Sequence, residues 1–349
     1  MNREVPRVYR AAVIGCGAIG SSIEDDTVSA NYRFLLPFGH APVYHALPRT
    51  DLVAGADPGP ERRRLFAERW GLAPEHVYAD YREMLERERI DIVSVATPTP
   101  YHVEIALAAV DAGVKAVYAE KPIASSLADA ERLIAACAEA GVALAINHTR
   151  RGDNLVRQAR RLIDDGSIGD LHSIVIHCTD QLMWSATHAF DLANYFNGDG
   201  PAAWVSGRLA ATPEIDPGGT ALIVYENGVQ AYIDSSSAHP HLMRAEVMGS
   251  KGKIVIGNYE LELWRTDEAH VRRPLVQYPF PQVQPAASAM TNLVNELLDQ
   301  VEGGPPVITN GHTAIKALEQ IVALYESSEQ GNRRIDLPLP DRTRVIRSR

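Results

Sequence analysis

Val13–Gly20 reads VIGCGAIG, which sets Gly15, Gly17 and Gly20 in the spacing GxGxxG directly after an apolar, strand-like run. In this arrangement the first glycine permits a tight turn and the second lets backbone approach a pyrophosphate. The third lets the following helix pack closely, and Ala18 and Ile19 open that helix with N–H groups able to face an anion. The triplet alone is a weak sign; its weight comes from its surroundings. Short apolar runs rich in β-branched residues recur at Tyr9–Ile14, Leu52–Ala56, Ile92–Ala96, Lys115–Ala119 and Val142–Ile146. Helical stretches lie between them at Pro60–Trp70, Tyr81–Arg87, His102–Ala112 and Leu127–Ala140. In the last of these, Leu127, Ala130, Ile134 and Cys137 share one face. Ser125 or Ser126 can cap its start, and Gly141 follows its end, where a left-handed residue is favoured. Strands alternating with helices specify a parallel sheet with helices on both faces, so residues 1–148 read as a Rossmann dinucleotide-binding domain.

Such a glycine loop is followed, roughly 20 residues on, by an acidic residue that ends the second strand and binds the adenosine ribose. Here LVAGAD ends in Asp57, 37 positions after Gly20. The excess is accounted for if Ser21–Gly39 is an inserted loop and the helix resumes near His40. Asp57 would accept hydrogen bonds from the ribose and repel a 2′-phosphate, which favours NAD over NADP. Arg62, Arg63 and Arg64 could offset that repulsion, but on a helix they are expected to face solvent.

After Asn147 the pattern changes. One helix is expected at Asn154–Asp165, closed by Gly166. Strands follow at Leu171–Thr179, Ala203–Ala210, Ala221–Glu226, Val229–Ser235, Arg244–Met248, Lys253–Ile256 and Leu261–Trp264. ENG at Glu226–Gly228 is a hairpin signal, because Asn-Gly tolerates positive φ, and SKGK at Ser250–Lys253 is a second turn. Tyr278–Pro285 reads as a connecting loop or extended arm. Helices at Met290–Glu302 and Thr313–Glu326 precede a terminal strand at Arg334–Leu337. Runs of strands with flanking helices make residues 149–349 an α+β domain on a mainly antiparallel sheet.

Composition narrows the classes of function. The 349 residues are 46% hydrophobic and 22% charged, which is ordinary for globular proteins and long enough for two domains. A net charge of −10 argues against nucleic acid or anionic lipid as a partner. No stretch approaches the roughly 18–20 apolar residues of a membrane helix, and Met1–Arg10 lacks the apolar run of a signal peptide. The chain therefore reads as cytoplasmic. Cys16, Cys137 and Cys178 are odd in number and widely spaced, without a CxxC or a Cys/His cluster, so neither disulfides nor a metal is expected. Cys16, inside the glycine loop, reads as a small filler, since nothing nearby in sequence would activate it.

From Thr97–Pro98 to Glu120–Lys121–Pro122 the chain resembles a known family. DIVSVATPTPYHVEIALAAVDAGVKAVYAEKPIA (91–124), GVALAINHTRR (141–151), SIGDLHSI (167–174), ATHAFDL (186–192), MGSKGKIVI (248–256) and RRIDLPL (333–339) are similar to the family of glucose-fructose oxidoreductase, inositol dehydrogenase and rhizopine-catabolism proteins. The likeness runs along nearly the whole chain, and the Glu-Lys-Pro triplet after the fifth strand is its most specific element. It implies a Rossmann domain followed by a domain with a large open sheet, whose exposed face forms a dimer or tetramer contact. It also implies a substrate cleft between the domains, and pyranose or cyclitol substrates oxidised at a secondary alcohol or reduced at the matching ketone. His102 matches a family position near the cofactor, or it packs and caps its helix.

Oxidising an alcohol needs a proton acceptor on the hydroxyl while hydride leaves the same carbon, within hydrogen-bond reach and with a pKa near the working pH. A lysine in a partly desolvated cleft suits, because burial lowers its pKa. Lys121 stands after the carboxyl end of a parallel strand, where α/β sheets bind ligands. Glu120 and Pro122 shape its turn, and Glu120 can orient it. The resemblance offers His188 as a second group. The aspartate that usually precedes it by four residues is replaced by Trp184, so the expected Lys–Asp–His trio is incomplete. His188 then works with Lys121 as proton relay or hydroxyl ligand, with Asp191 on the same helical face gripping a substrate hydroxyl. Asp180 can replace the missing carboxylate. Trp184 is either a stacking platform for a sugar ring or a core residue. Arg150 or Arg151 either binds substrate or pairs with nearby acids such as Asp153. The leading expectation is an NAD-dependent sugar, cyclitol or aminocyclitol dehydrogenase or reductase. The alternatives are a redox-neutral glycosidase that retains NAD and a non-catalytic dinucleotide-sensing regulator.

Overall fold

The computed structural model describes residues 7–27, 35–210, 216–237, 243–258, 260–272, 274–283 and 287–348. Two compact units account for it: Met1–Ala124 with Asp129–Thr149 and Ala287–Gly311, and Ser125–Ala128 with Arg150–Ala286 and His312–Arg349.

The first unit runs β1 (Tyr9–Ile14), α1 (Ile23–Thr27), α2 (His40–Ala46), β2 (Thr50–Ala56), α3 (Pro60–Trp70), β3 (Val77–Tyr78), α4 (Tyr81–Arg87), β4 (Ile92–Val95), α5 (His102–Asp111), β5 (Ala116–Ala119), α6 (Leu127–Ala140) and β6 (Ala143–Ile146). Its strands form one parallel sheet in the order β3-β2-β1-β4-β5-β6. The register aligns their carboxyl ends: Ile14 lies beside Ala56 and Val95, Val95 beside Ala119, and Ala119 beside Ile146. Everything that follows these strands therefore emerges along one edge. Gly141 closes α6 in the left-handed conformation its position called for.

The inserted segment is not wholly a loop. A single π-type turn covers Ala18–Ser22 and α1 follows it. The backbone N–H of Phe38 donates to Glu24 Oε1 at 2.7 Å, which draws the two ends of the insertion together. Residues 28–34 of it lie outside the described residues.

In the second unit come α7 (Asn154–Asp164), β7 (Leu171–Cys178), α8 (Thr187–Phe196), β8 (Ala202–Leu209), β9 (Gly219–Tyr225), β10 (Gln230–Asp234), β11 (Met243–Gly249), β12 (Gly252–Gly257), β13 (Leu261–Thr266) and β14 (Leu275–Tyr278). After them stand α9 (Ala289–Val301), α10 (Gly311–Glu329) and β15 (Ile335–Asp336). The sheet has nine strands in the order β14-β13-β12-β11-β7-β10-β9-β8-β15. Its pairs are antiparallel except β7 with β10. Gly228, at φ +86°, turns the β9–β10 hairpin, as Asn-Gly predicts. Burial alternates along β9, with Ala221, Ile223 and Tyr225 inward, so one face is the core face. Strand β14 was not expected and takes in Tyr278, the first residue of the expected loop Tyr278–Pro285; residues 279–283 carry no helix or strand, and 284–285 lie outside the described residues.

Chain order puts α9 with the second domain, but its packing does not. Ser288 caps it, accepting from Thr291 N at 3.0 Å. Met290, Leu293, Val294, Leu297 and Leu298 repeat at helical spacing and are fully buried in one core with Tyr9, Ala41, Tyr44 and Leu52. The chain returns because that stripe needs an apolar partner.

Candidate active site

Gly15 has φ +97°, and a Cβ there would lie 2.3 Å from the carbonyl oxygen of Ala96, so the loop after β1 can touch the loop after β4 only with glycine in place. A Cβ on Gly20 would lie 2.0 Å from the carbonyl oxygen of Gly15. Over Gly17 the space is open, with nothing within 4 Å of where a Cβ would stand. Asp57 ends β2 and is 3% exposed. Its Oδ2 accepts from Cys16 N at 3.0 Å and its Oδ1 from Gly59 N at 2.8 Å. An ionised carboxylate has about four acceptor sites, so capacity remains for ribose hydroxyls. Burial and the Asp57 charge push the Cys16 thiol well up, which leaves it an inert filler.

The arginines of α3 do not all face solvent. Arg62 is exposed, as expected, with its guanidinium 3.7 Å from Asp57 Oδ2, whereas Arg63 is half-buried and donates to the carbonyl oxygens of Asp57 and Pro58 at 2.8 and 2.9 Å. Only Arg64 spends its guanidinium along the helix surface, on Glu61 and Glu68. Arg63 turns back because the strand end offers it two carbonyl oxygens.

Thr97 and Pro98 follow β4, and Lys121 follows β5. Thr97 Oγ1 is buried without a hydrogen-bond partner among the described residues. Such a group is rare in a native interior, and it suits a loop that receives a polar ligand. His102 is buried beneath both turns, Nε2 lying 2.7 Å from the carbonyl oxygen of Thr97 and Nδ1 2.9 Å from that of Pro122. Burial pushes its imidazole pKa down, against the pull of the two carbonyls. Lys121 itself is half-buried. An open space at Gly17, a strand-end carboxylate and the orphaned Thr97 hydroxyl fit a dinucleotide. Gly15, Gly17, Ala18, Ile19, Gly20, Asp57 and Thr97 would hold it.

Beneath Lys121 lies a polar cluster that sequence reading missed. Glu120, 7% exposed, accepts on Oε1 from His40 Nε2 at 3.1 Å and from Asn147 Nδ2 at 2.6 Å. Its Oε2 faces the backbone N–H of Lys121 at 3.3 Å. His40 Nδ1 lies 2.7 Å from Ser94 Oγ, and Ser94 Oγ 2.8 Å from the Tyr44 hydroxyl. The Tyr118 hydroxyl donates to Asn147 Oδ1. Burial works to raise the Glu120 carboxyl, but the His40 hydrogen bond, the charges of Lys121 and His40 and the Asn147 hydrogen bond outweigh it. They hold the carboxyl at about 2, so it is ionised at working pH.

In the second unit the expected substrate contacts divide. Trp184 is 52% exposed, so it is not a core residue. Asp216 accepts the backbone N–H of Met183 at 2.8 Å and of Trp184 at 2.9 Å, holding the turn that presents it. His188, in the first turn of α8, is half-buried. Asp180 follows β7, half-buried, with the Thr179 hydroxyl 3.3 Å away. Asp191 and Arg151 depart from expectation. Both side chains are 0% exposed, and Arg151 Nε meets the Asp191 carboxylate at 2.9 and 2.8 Å. Arg151 also donates to both oxygens of Asp199, at 2.8 and 2.7 Å. The pair is committed to its own interior, with no surface left to grip a substrate hydroxyl. Arg150 instead reaches Asn258 Oδ1 at 2.9 Å.

A sheet in the order 3-2-1-4-5-6, a glycine loop at its centre and a strand-end aspartate define a dinucleotide-binding unit, here in one chain with an α+β unit. Residues 9–148 match the oxidoreductase family with an NAD-binding Rossmann fold, and residues 180–255 match the GFO/IDH/MocA C-terminal domain. The chain belongs to the Gfo/Idh/MocA family and is an NAD-binding oxidoreductase. It is 25% identical to the D-apiose dehydrogenase of Paraburkholderia graminis, over 93% of this chain and 88% of that one. It is 27% identical to the myo-inositol 2-dehydrogenase of Thermotoga maritima, over 89% and 96%. In fold it is similar to the aldose-aldose oxidoreductase of Caulobacter crescentus, with a TM-score of 0.79 at 22% identity over 95% of this chain and all of that one. No helix among the described residues is long and apolar enough to cross a membrane.

Proposed function

We propose that this protein is an NAD-dependent dehydrogenase acting on a secondary alcohol of a sugar or cyclitol, or on the matching ketone in reverse. The observation that carries the reading is the shared edge: Gly15, Asp57, Thr97 and Lys121 all follow carboxyl ends of adjacent parallel strands. Ligands bind there in this class of sheet. Bound NAD would supply the hydride acceptor, and the residues supply the rest. Lys121 takes the hydroxyl proton, with Glu120 ionised beside its backbone, and His188 is the second proton-handling group. Trp184 offers an exposed aromatic face suited to the C–H face of a sugar ring, and Asp180 is the nearest carboxylate in sequence to take a hydroxyl. Polyol substrates are what the relatives' names report, an apiose in one and an inositol in the other. Copies are expected to assemble through the open face of the nine-stranded sheet, which light scattering would read as a dimer or tetramer.

The test is reduced-nicotinamide absorbance on mixing the protein with NAD or NADP and a panel of inositols, D-apiose, other aldoses and glycosides. Net NADH from one class supports a dehydrogenase. Silence with NAD binding intact would move the reading to a redox-neutral enzyme or a sensor. With the responding substrate, Lys121→Ala should lower turnover by about 10²–10⁴-fold, the usual worth of a general base, while NAD still binds. Turnover surviving within a few-fold would end the assignment of Lys121.

A further inference from the structure

We propose that His40 is a positioning residue for Lys121, acting through Glu120. The inference rests on the reading of Lys121 as the proton acceptor. His40 is fully buried, at the start of α2, and sits 80 positions from Glu120 in the chain. Because Glu120 is ionised, its Oε1 can only accept, so His40 Nε2 carries the proton of that 3.1 Å contact. Nδ1 lies 2.7 Å from Ser94 Oγ, and Ser94 Oγ lies 2.8 Å from the Tyr44 hydroxyl, so the ring is held at both nitrogens.

A second series ends on the same atom, running from the Tyr118 hydroxyl to Asn147 Oδ1 and from Asn147 Nδ2 to Glu120 Oε1. Two donors converge on Oε1 and turn Oε2 toward the Lys121 backbone. The carboxylate is thereby clamped from α2, β4, β5 and the residue after β6, four separate segments of the first unit. Well-packed apolar side chains often replace a buried ionic group without loss of stability. A satisfied polar network holds one carboxylate in one orientation instead. What it orients is the turn of Lys121, the residue next to Glu120.

The test follows the reactivity of Lys121 in the purified full-length protein, with and without NAD, so it does not wait on a substrate. Acylation by a trace of acetic anhydride is read by peptide mass spectrometry, with the exposed Lys251 as internal reference. Replacing His40 by leucine or Glu120 by glutamine should each change the relative rate at Lys121 by about fivefold or more, part of what a hydrogen bond to an ionised group carries. His40→Gln, which keeps an N–H near the Nε2 position, should restore the native rate. The double variant should match Glu120→Gln alone, because the proposal routes the effect of His40 through the carboxylate. An unchanged rate in His40→Leu, or two effects that simply multiply in the double variant, overturns the proposal. If His40→Leu does not fold, Asn147→Ala removes the other donor and is judged by the same two outcomes. Failure of the underlying reading looks different. Undiminished turnover in Lys121→Ala would end the proton-acceptor role and leave the acylation result standing.

Discussion

Two buried clusters of charge, one in each unit, are built on opposite plans. In the second unit Arg151 lies between Asp191 and Asp199, with Tyr195 against the guanidinium at 5.1 Å, so one guanidinium is spent on two carboxylates of its own unit. In the first unit Glu120 is met by His40 and Asn147, and a neighbouring counter-charge is Lys121, the next residue. A cluster whose cation is fully engaged within its own unit is architecture: it fastens Arg151 to α8 and to the turn at Asp199. A carboxylate that completes its charge on a half-buried lysine passes its orientation to that lysine. The difference separates a buried charge that holds the fold from one that serves a site.

The comparison can be broken most forcefully at Arg151. Replacing it by methionine strands Asp191 in the interior and should cost about 3–5 kcal/mol, the usual loss when one partner of a buried pair is removed. Urea unfolding followed by circular dichroism measures it; a loss under 1 kcal/mol would mean the cluster holds little.

The second test uses acid. The Glu120 carboxyl is depressed in the folded state, so the stability it contributes is fully present above its unfolded pKa near 4.5 and is lost as pH falls toward about 2. The wild type should lose about 3 kcal/mol more than Glu120→Gln across that window, since each unit of pKa shift is worth ~1.4 kcal/mol. Parallel pH curves for the two proteins would show that the carboxylate is not held as described.

Smaller effects are expected where a ligand, not the fold, is the partner. Asp57→Ser should shift preference toward NADP by about tenfold, helped by Arg62 and Arg63 already turned to that strand end, a change of ~1.4 kcal/mol. Fluorescence titration with both nucleotides reads it, and an unmoved ratio would remove Asp57 from the ribose. Gly17→Ala meets open space, so stability should stay within about 0.5 kcal/mol, as for surface changes away from special features, while NAD affinity falls. Unaltered NAD affinity would mean that the pyrophosphate does not approach this backbone.

Much of the fold was legible in the chain because the signals are local. The alternation of short β-branched runs with helical stretches marked β1, β2, β4, β5 and β6, and the turn glycines Gly141 and Gly228 take the positive φ their positions called for. The two-residue β3 and the exposed strand β14 were missed. One is too short to show a period, and the other has all four residues exposed. At the site, Gly15, Gly20 and Asp57 were legible from spacing. Asp191 and Arg151 were misjudged: spacing shows which residues share a helix face, but not whether that face looks at solvent or at an arginine 40 positions away.

By itself, then, the sequence determined the period of each element, the glycine loop and the strand end carrying Asp57, since turn chemistry and side-chain periodicity act over a few residues. Tertiary structure alone decided that α9 returns to the first unit, that Arg151 closes on Asp191 and Asp199, and that His40 crosses 80 positions to meet Glu120. Those contacts depend on sheet order, register and the burial of polar atoms that must find partners wherever the chain brings them. No spacing along the chain encodes such a meeting.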